Sequence, residues 1–195
     1  MIGTTARPRS ADALLFFRTW LRAPLKTAAY APSSHSVARM MAAAARIGDD
    51  GPVVELGAGT GALTAGLVEG GVDPARLVLL EYDADFAAVL RSRYPTAQVI
   101  QGDAYAAPAL LGEIGAAAIV SGLPLVQYAD RARFVFDCLG VLGRPGARFA
   151  QLSYMVTSPV PLSRLPGVSH AVSPTVWANF PPARIWSYWI DGQDA

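Results

Sequence analysis

Short apolar runs recur through the middle of the chain, at residues 52–56, 76–81, 97–100, 116–120 and 147–152. Segments near 61–70, 84–93, 105–112 and 129–142 separate them and carry the three-to-four residue spacing of helices. Runs that are continuously apolar, rather than alternating, are those buried on both faces. The pattern therefore predicts a parallel sheet with helices on each side, a doubly wound α/β domain. Beyond a Pro-rich stretch, residues 175–180 and 183–189 flank Pro181-Pro182 and read as two further strands. Such a short link predicts an antiparallel pair, a C-terminal antiparallel hairpin on the sheet.

At 195 residues the chain is long enough for one domain with a full core and no disulfide staple. Hydrophobic residues make up 52% and charged residues 16%, which excludes a disordered chain. No apolar run reaches the ~18–20 residues of a membrane-spanning helix. Sixteen basic against fifteen acidic residues exclude a globally basic nucleic-acid binder. The distribution is uneven, however. The first 30 residues hold Arg7, Arg9, Arg18, Arg22 and Lys26 against Asp12 alone, whereas the rest is mildly acidic.

That basic head carries a helix signal. Ser10 or Asp12 can cap it and Pro24 bounds it. At about 100° per residue, Ala13, Phe16, Phe17 and Trp20 share one face and Arg18 and Arg22 the other, with Leu14 and Leu15 blurring the border. Residues 1–30 are thus expected to form a basic amphipathic membrane-associating helix and lid, with residues 31–195 as the globular domain. Arg7, Arg9, Phe16, Phe17, Arg18, Trp20, Arg22 and Lys26 are the expected membrane contacts, and the expected partner is an anionic membrane surface. The apolar run 13–17 is too short for a signal peptide, and Cys138 is the single cysteine. A cytoplasmic protein, peripheral on the inner face of the membrane, is expected. Cys138 lies among apolar residues and reads as a buried, inert thiol.

The candidate chemistry begins after the first run, at Glu55-Leu56-Gly57-Ala58-Gly59-Thr60-Gly61-Ala62. Glycines between a strand and a helix allow left-handed backbone and close approach of a ligand. The helix start beyond them favours an anionic group. Glu81 ends the second run 24 positions after Gly57, where a carboxylate can accept from ribose hydroxyls. Asp103 follows the third run at the same sheet edge. Glu55, Glu81 and Asp103 would repel a pyrophosphate but suit a ligand bearing a sulfonium and an amino group. That disfavours a nicotinamide-dinucleotide oxidoreductase.

Residues 53–61 resemble the first motif of class I S-adenosylmethionine (SAM) methyltransferases, and Glu81 and Gly102-Asp103-Ala104 resemble that superfamily's ribose and adenine positions. The resemblance implies a mostly parallel, seven-stranded Rossmann-like methyltransferase sheet, and SAM as cofactor with S-adenosylhomocysteine as product. It places Gly57, Gly59 and Gly61 under the methionine part, Glu81 at the ribose and Asp103 at the adenine. Glu55, Tyr82, Ala104 and Ser121 are further implied cofactor contacts.

On the acceptor side, superfamily members that methylate amines often carry Asn/Asp-Pro-Pro-aromatic after the fourth strand. Here the sequence is Ser121-Gly122-Leu123-Pro124-Leu125, with no aromatic ring to stack a nucleobase. That segment, Ala29-Tyr30-Ala31-Pro32-Ser33-Ser34, and residues 179–186 resemble bacterial phospholipid N-methyltransferases. Those enzymes convert phosphatidylethanolamine stepwise towards phosphatidylcholine. The resemblance implies a phospholipid substrate, with Tyr30 positioning the acceptor, Ser34 capping the cofactor, and Gly122, Leu123 and Pro124 bordering the acceptor. No metal and no nucleic-acid partner are expected, and a monomer is. The alternative is a methyltransferase acting on ribosomal-RNA adenine or a small molecule. Neither His35 nor His170 is placed as an obvious base, so the acceptor ammonium is expected to lose its proton to water on desolvation.

Overall fold

The computed structural model describes residues 32–177 and 182–193. The membrane-associating head predicted over residues 1–30, with Tyr30, lies outside the described residues. Seven strands form one sheet: β1 (Val53–Leu56), β2 (Leu77–Glu81), β3 (Gln98–Gln101), β4 (Ala116–Ser121), β5 (Gly143–Ser153), β6 (Val168–Val172) and β7 (Arg184–Ile190). Their spatial order is β3-β2-β1-β4-β5-β7-β6. Strands β1 to β5 run parallel to one another, while β7 runs antiparallel to both β5 and β6. This is the expected doubly wound methyltransferase sheet.

β1, β2 and β4 are buried along their whole length, as their mostly apolar sequences require, with Glu55, Glu81 and Ser121 as the polar exceptions at or near their carboxyl ends. Helices α1 (Pro32–Ala44), α2 (Ala62–Glu69) and α3 (Ala84–Arg93) bring Val37, Met41, Leu67 and Leu90 onto one face. There they pack on Val53, Leu77, Leu79 and Val120. Helices α4 (Ala107–Leu111) and α5 (Arg131–Asp137) cover the other face with Ala107, Phe134 and Val135 over Val54, Leu56, Leu80 and Ile119. α5 is shorter than the 129–142 segment predicted. It widens into a π-helical turn at Cys138–Leu142 that leads straight into β5. Cys138 is fully buried there, and burial pushes its thiol well up, as expected of an inert core residue.

One strand is misplaced in the sequence reading. Among its described residues, the predicted strand at 175–180 contributes a single bridge, Val176 to Ala183, while the sixth strand is β6, at Val168–Val172. Pro174 lacks the N–H that a ladder needs, and Val168-Ser169-His170-Ala171-Val172 pairs with β7 as the outer edge of the sheet. The antiparallel C-terminal pair is therefore β6 and β7, with a longer connection than predicted. Just before β2, the Arg76 guanidinium donates to the carbonyls of Gly48, Asp50 and Gly51 and fixes the chain entering β1. Among the described residues, no helix is long and apolar enough to cross a membrane.

Candidate functional site

The carboxyl ends of β1, β2, β3 and β4 lie side by side, and each opens into a loop that carries a residue singled out from the sequence. In the β1 loop, Gly57, Gly59 and Gly61 have φ of 74°, 57° and 79°. All three occupy the left-handed region, which explains the need for glycine. The loop is anchored on β2, because the N–H groups of Gly57 and Ala58 donate to the Leu80 carbonyl at 2.8 and 3.2 Å. Close packing adds a second reason at two of these positions. A Cβ on Gly57 would lie 2.7 Å from Leu123 Cδ2, and one on Gly61 2.8 Å from Leu90 Cδ2.

Glu81 ends β2 with its carboxylate buried between two loops. Oε2 accepts the Gly59 N–H at 2.7 Å and Oε1 accepts the Asp83 N–H at 2.8 Å. Each oxygen retains a lone pair beyond these bonds, so the group can still accept from a pair of hydroxyls. Tyr82, next along, is exposed. After β3, Asp103 Oδ1 accepts the Tyr105 N–H at 3.0 Å and caps the turn holding buried Ala104. The Tyr105 ring stacks on Tyr128 at 4.3 Å, and both rings meet Phe134 of the core edge-on.

Glu55 sits deeper than its sequence neighbours imply. It lies one residue before the end of β1, fully buried, on the same sheet face as Glu81 and diagonal to it. Thr64 Oγ1 of α2 donates to its Oε2 at 2.7 Å. Burial first, and the neighbouring Glu81 charge after it, raise the Glu55 pKa to about 8 against a weaker opposing effect from Thr64. At neutral pH Glu55 is thus mostly protonated and adds little negative charge to the site. Sequence spacing alone made the three acids look equivalent.

The β4 loop forms the other wall. Ser121 is fully buried, and its Oγ accepts the Leu123 N–H at 3.2 Å. Leu123 is buried over Gly57, whereas a Cβ at Gly122 would meet open space. Pro124 is half-buried. Gln151 of β5, which the sequence reading passed over, donates through Nε2 to the Leu123 carbonyl at 2.9 Å. Its signal was an amide inside the run 147–152, where Arg148 is the other polar residue. Ser34 falls in the first turn of α1, and its side chain lies outside the described residues. His170 is on β6 at the far edge of the sheet, stacked on Trp186 and remote in strand order from the glycine loop.

This site, with a glycine loop, a buried carboxylate able to take a ribose diol and an open wall at Gly122, fits an adenosine-bearing methyl donor. Known proteins agree. The ribosomal RNA adenine dimethylase family profile matches residues 33–114. Ornithine lipid N-methyltransferase of Singulisphaera acidiphila is 30% identical over 151 residues, covering 74% of this chain and 79% of that protein. Ribosomal RNA small subunit methyltransferase A of Caulobacter vibrioides is 37% identical over 93 residues, 46% of this chain and 35% of that protein. Among solved structures, the 1,6-didemethyltoxoflavin-N1-methyltransferase of Burkholderia thailandensis, crystallised with S-adenosylhomocysteine, shares the fold. It superposes with a TM-score of 0.70 at 15% identity, covering 98% of this chain and 93% of that one. TrmN from Thermus thermophilus gives 0.60 at 17% identity, covering 82% and 52%. The chain belongs to the class I SAM-dependent methyltransferases.

Proposed function

We propose that this methyltransferase acts on the amine of phosphatidylethanolamine and its methylated derivatives at an anionic membrane surface, leading towards phosphatidylcholine. The observation that carries this reading is how the similarities are distributed. The lipid N-methyltransferase of Singulisphaera acidiphila is matched over 79% of its length. The adenine dimethylase match covers residues 33–114 and ends before β4 and the loop that follows it. It therefore reads the half of the sheet with the glycine loop and is silent on the acceptor. The rim supports a lipid partner. Tyr154, Met155 and Val156 follow β5 and Trp177 follows β6, all exposed, with Trp177 79% exposed. Both strands run antiparallel to β7, so these residues leave the sheet at the same edge as the glycine loop. Exposed aromatic and aliphatic groups around a site mouth suit an interfacial enzyme.

In this reading Gly57, Gly59 and Gly61 lie under the methionine part of the donor, Glu81 holds the ribose and Asp103 with Ala104 meets the adenine. Ser34, Glu55, Tyr82 and Ser121 complete the cofactor contacts. Tyr30 and residues 122–124 border the acceptor. SAM supplies an electrophilic methyl group, whose transfer moves a positive charge from sulfur to the acceptor nitrogen. The protein's own part is to align the amine and exclude water. The amine must first lose a proton, which burial of the ammonium favours. The basic head, Arg7 to Lys26, draws the enzyme to an anionic leaflet.

A panel of acceptors tests this reading. Labelled SAM is supplied with liposomes of phosphatidylethanolamine and phosphatidylglycerol, with liposomes carrying ornithine lipid, and with ribosomal RNA. Label in methylated phosphatidylethanolamines is expected. Label in ornithine lipid alone would shift the headgroup, and label in RNA alone would overturn the lipid reading.

A further inference from the structure

Leu123 is held at both ends of its residue by side chains from two strands. Its N–H donates to Ser121 Oγ at 3.2 Å, and its carbonyl accepts from Gln151 Nε2 at 2.9 Å. Ser121 and Gln151 stand opposite each other in the β4–β5 register, and both are buried. The Gln151 amide nitrogen donates again, to the Leu152 carbonyl at 2.7 Å. Two carbonyl partners settle the orientation of the amide, since only its NH2 end can donate to both.

The rest of Gln151 is unusual for a core position. Its Oε1 is buried without a hydrogen-bond partner, and so is Nε1 of Trp186, directly across the β5–β7 ladder. A buried amide with an idle acceptor is a poor core filler, because an apolar side chain would avoid the desolvation penalty. Its worth lies in direction. The Leu123 side chain that it fixes occupies the space where a Cβ on Gly57 would sit. One residue thus links β5 to the loop after β4, and through Leu123 to the glycine loop.

We propose that Gln151 is a positioning residue for methyl transfer. Its amide fixes Leu123 and so sets residues 122–124 against the glycine loop, a role that rests on the reading of residues 122–124 as the acceptor border. The glycine loop has its own anchors on Leu80 and Glu81. Gln151 therefore governs the placement of the acceptor rather than the affinity for the donor.

The test uses the full chain with Gln151→Met, which keeps length and loses the donor, and Gln151→Glu as a second variant. Three quantities are read: amide-exchange protection of Gly122, Leu123 and Leu125, S-adenosylhomocysteine affinity, and kcat on phosphatidylethanolamine vesicles. In Gln151→Met, protection and kcat should each fall at least about tenfold, while S-adenosylhomocysteine affinity and KM for SAM stay within about threefold. In Gln151→Glu, a protonated carboxyl can donate one hydrogen and a carboxylate none. Protection there should be higher at pH 5.5 than at pH 8.5, a dependence that Gln151→Met lacks and that a packing role would not produce. Unchanged protection in folded Gln151→Met overturns the proposal, as does unchanged kcat on an acceptor that the parent methylates. If the parent leaves phosphatidylethanolamine unlabelled, the lipid reading fails. The protection measurement, with kcat on ornithine lipid or ribosomal RNA, then decides the proposal by itself.

Discussion

Gly59 donates its backbone N–H to the carboxylate of Glu81 across 2.7 Å. The other oxygen of Glu81 takes the Asp83 N–H, so one buried carboxylate ties the glycine loop of β1 to the loop leaving β2. Glu81→Ala should therefore do two things. It removes a charge-assisted partner worth roughly 1.5–3 kcal/mol to the ribose, weakening S-adenosylhomocysteine binding about 10- to 100-fold. It also leaves the buried Gly59 N–H unpaired and should lower the melting temperature. Glu81→Gln retains one acceptor and should fall between. Calorimetric titration alongside thermal melting checks both effects. Undiminished affinity in a folded Glu81→Ala would remove this residue from the site.

Glu55 gives a pH signature. Its folded pKa of about 8 exceeds the 4.5 of the free side chain, so between those values the folded state holds a proton that the unfolded state releases. The contribution of Glu55 to stability should consequently be greatest at low pH, fall as pH rises from about 4.5 through 8, and level off above. The slope from this one group is at most about 1.4 kcal/mol per pH unit. Glu55→Gln keeps an acceptor for Thr64 and should flatten this contribution. Urea unfolding of parent and variant from pH 5 to pH 9 isolates it as a difference. Parallel curves would mean that Glu55 is ionised in the folded protein.

Gly59 has φ of 57° and is buried. A β-branched residue in left-handed backbone is strained by about 1–2 kcal/mol, enough to distort the loop. Gly59→Val should bind S-adenosylhomocysteine too weakly to shift its melting temperature at concentrations that shift the parent. A normal ligand-induced shift would place the donor elsewhere.

The basic head predicts a separable defect. Arg18, Arg22 and Lys26 replaced together by Glu should abolish flotation with phosphatidylglycerol liposomes, since three reversed charges turn attraction into repulsion. S-adenosylhomocysteine binding should persist, because the glycine loop and its anchors lie elsewhere in the chain. Parental flotation should itself weaken with added salt. A variant that floats like the parent would reduce these residues to a solvated face.

The sheet was legible because its strands announce themselves chemically. β1, β2 and β4 are mostly apolar runs, with the glycine loop directly after β1 and Glu81 as the last residue of β2. β6 was not, because it is an edge strand with exposed residues, held by its ladder to β7 rather than by burial. The aromatic segment around Trp177 looked more strand-like yet makes one bridge. In the site, residue types and order were readable but depth was not. Nothing in the spacing shows that Glu55 hides behind Thr64 while Glu81 faces the loop. Gln151 was equally hidden, because its meaning depends on a loop 28 positions away.

The most direct measurement is methyl transfer from labelled SAM to phosphatidylethanolamine in anionic liposomes, with the lipid products resolved, for the parent and Gly59→Val side by side. The parent should yield labelled methylated phosphatidylethanolamines and Gly59→Val none. Equal labelling by the two proteins, or a parent that labels ribosomal RNA and leaves the lipid unlabelled, would contradict a lipid methyltransferase working through this glycine loop.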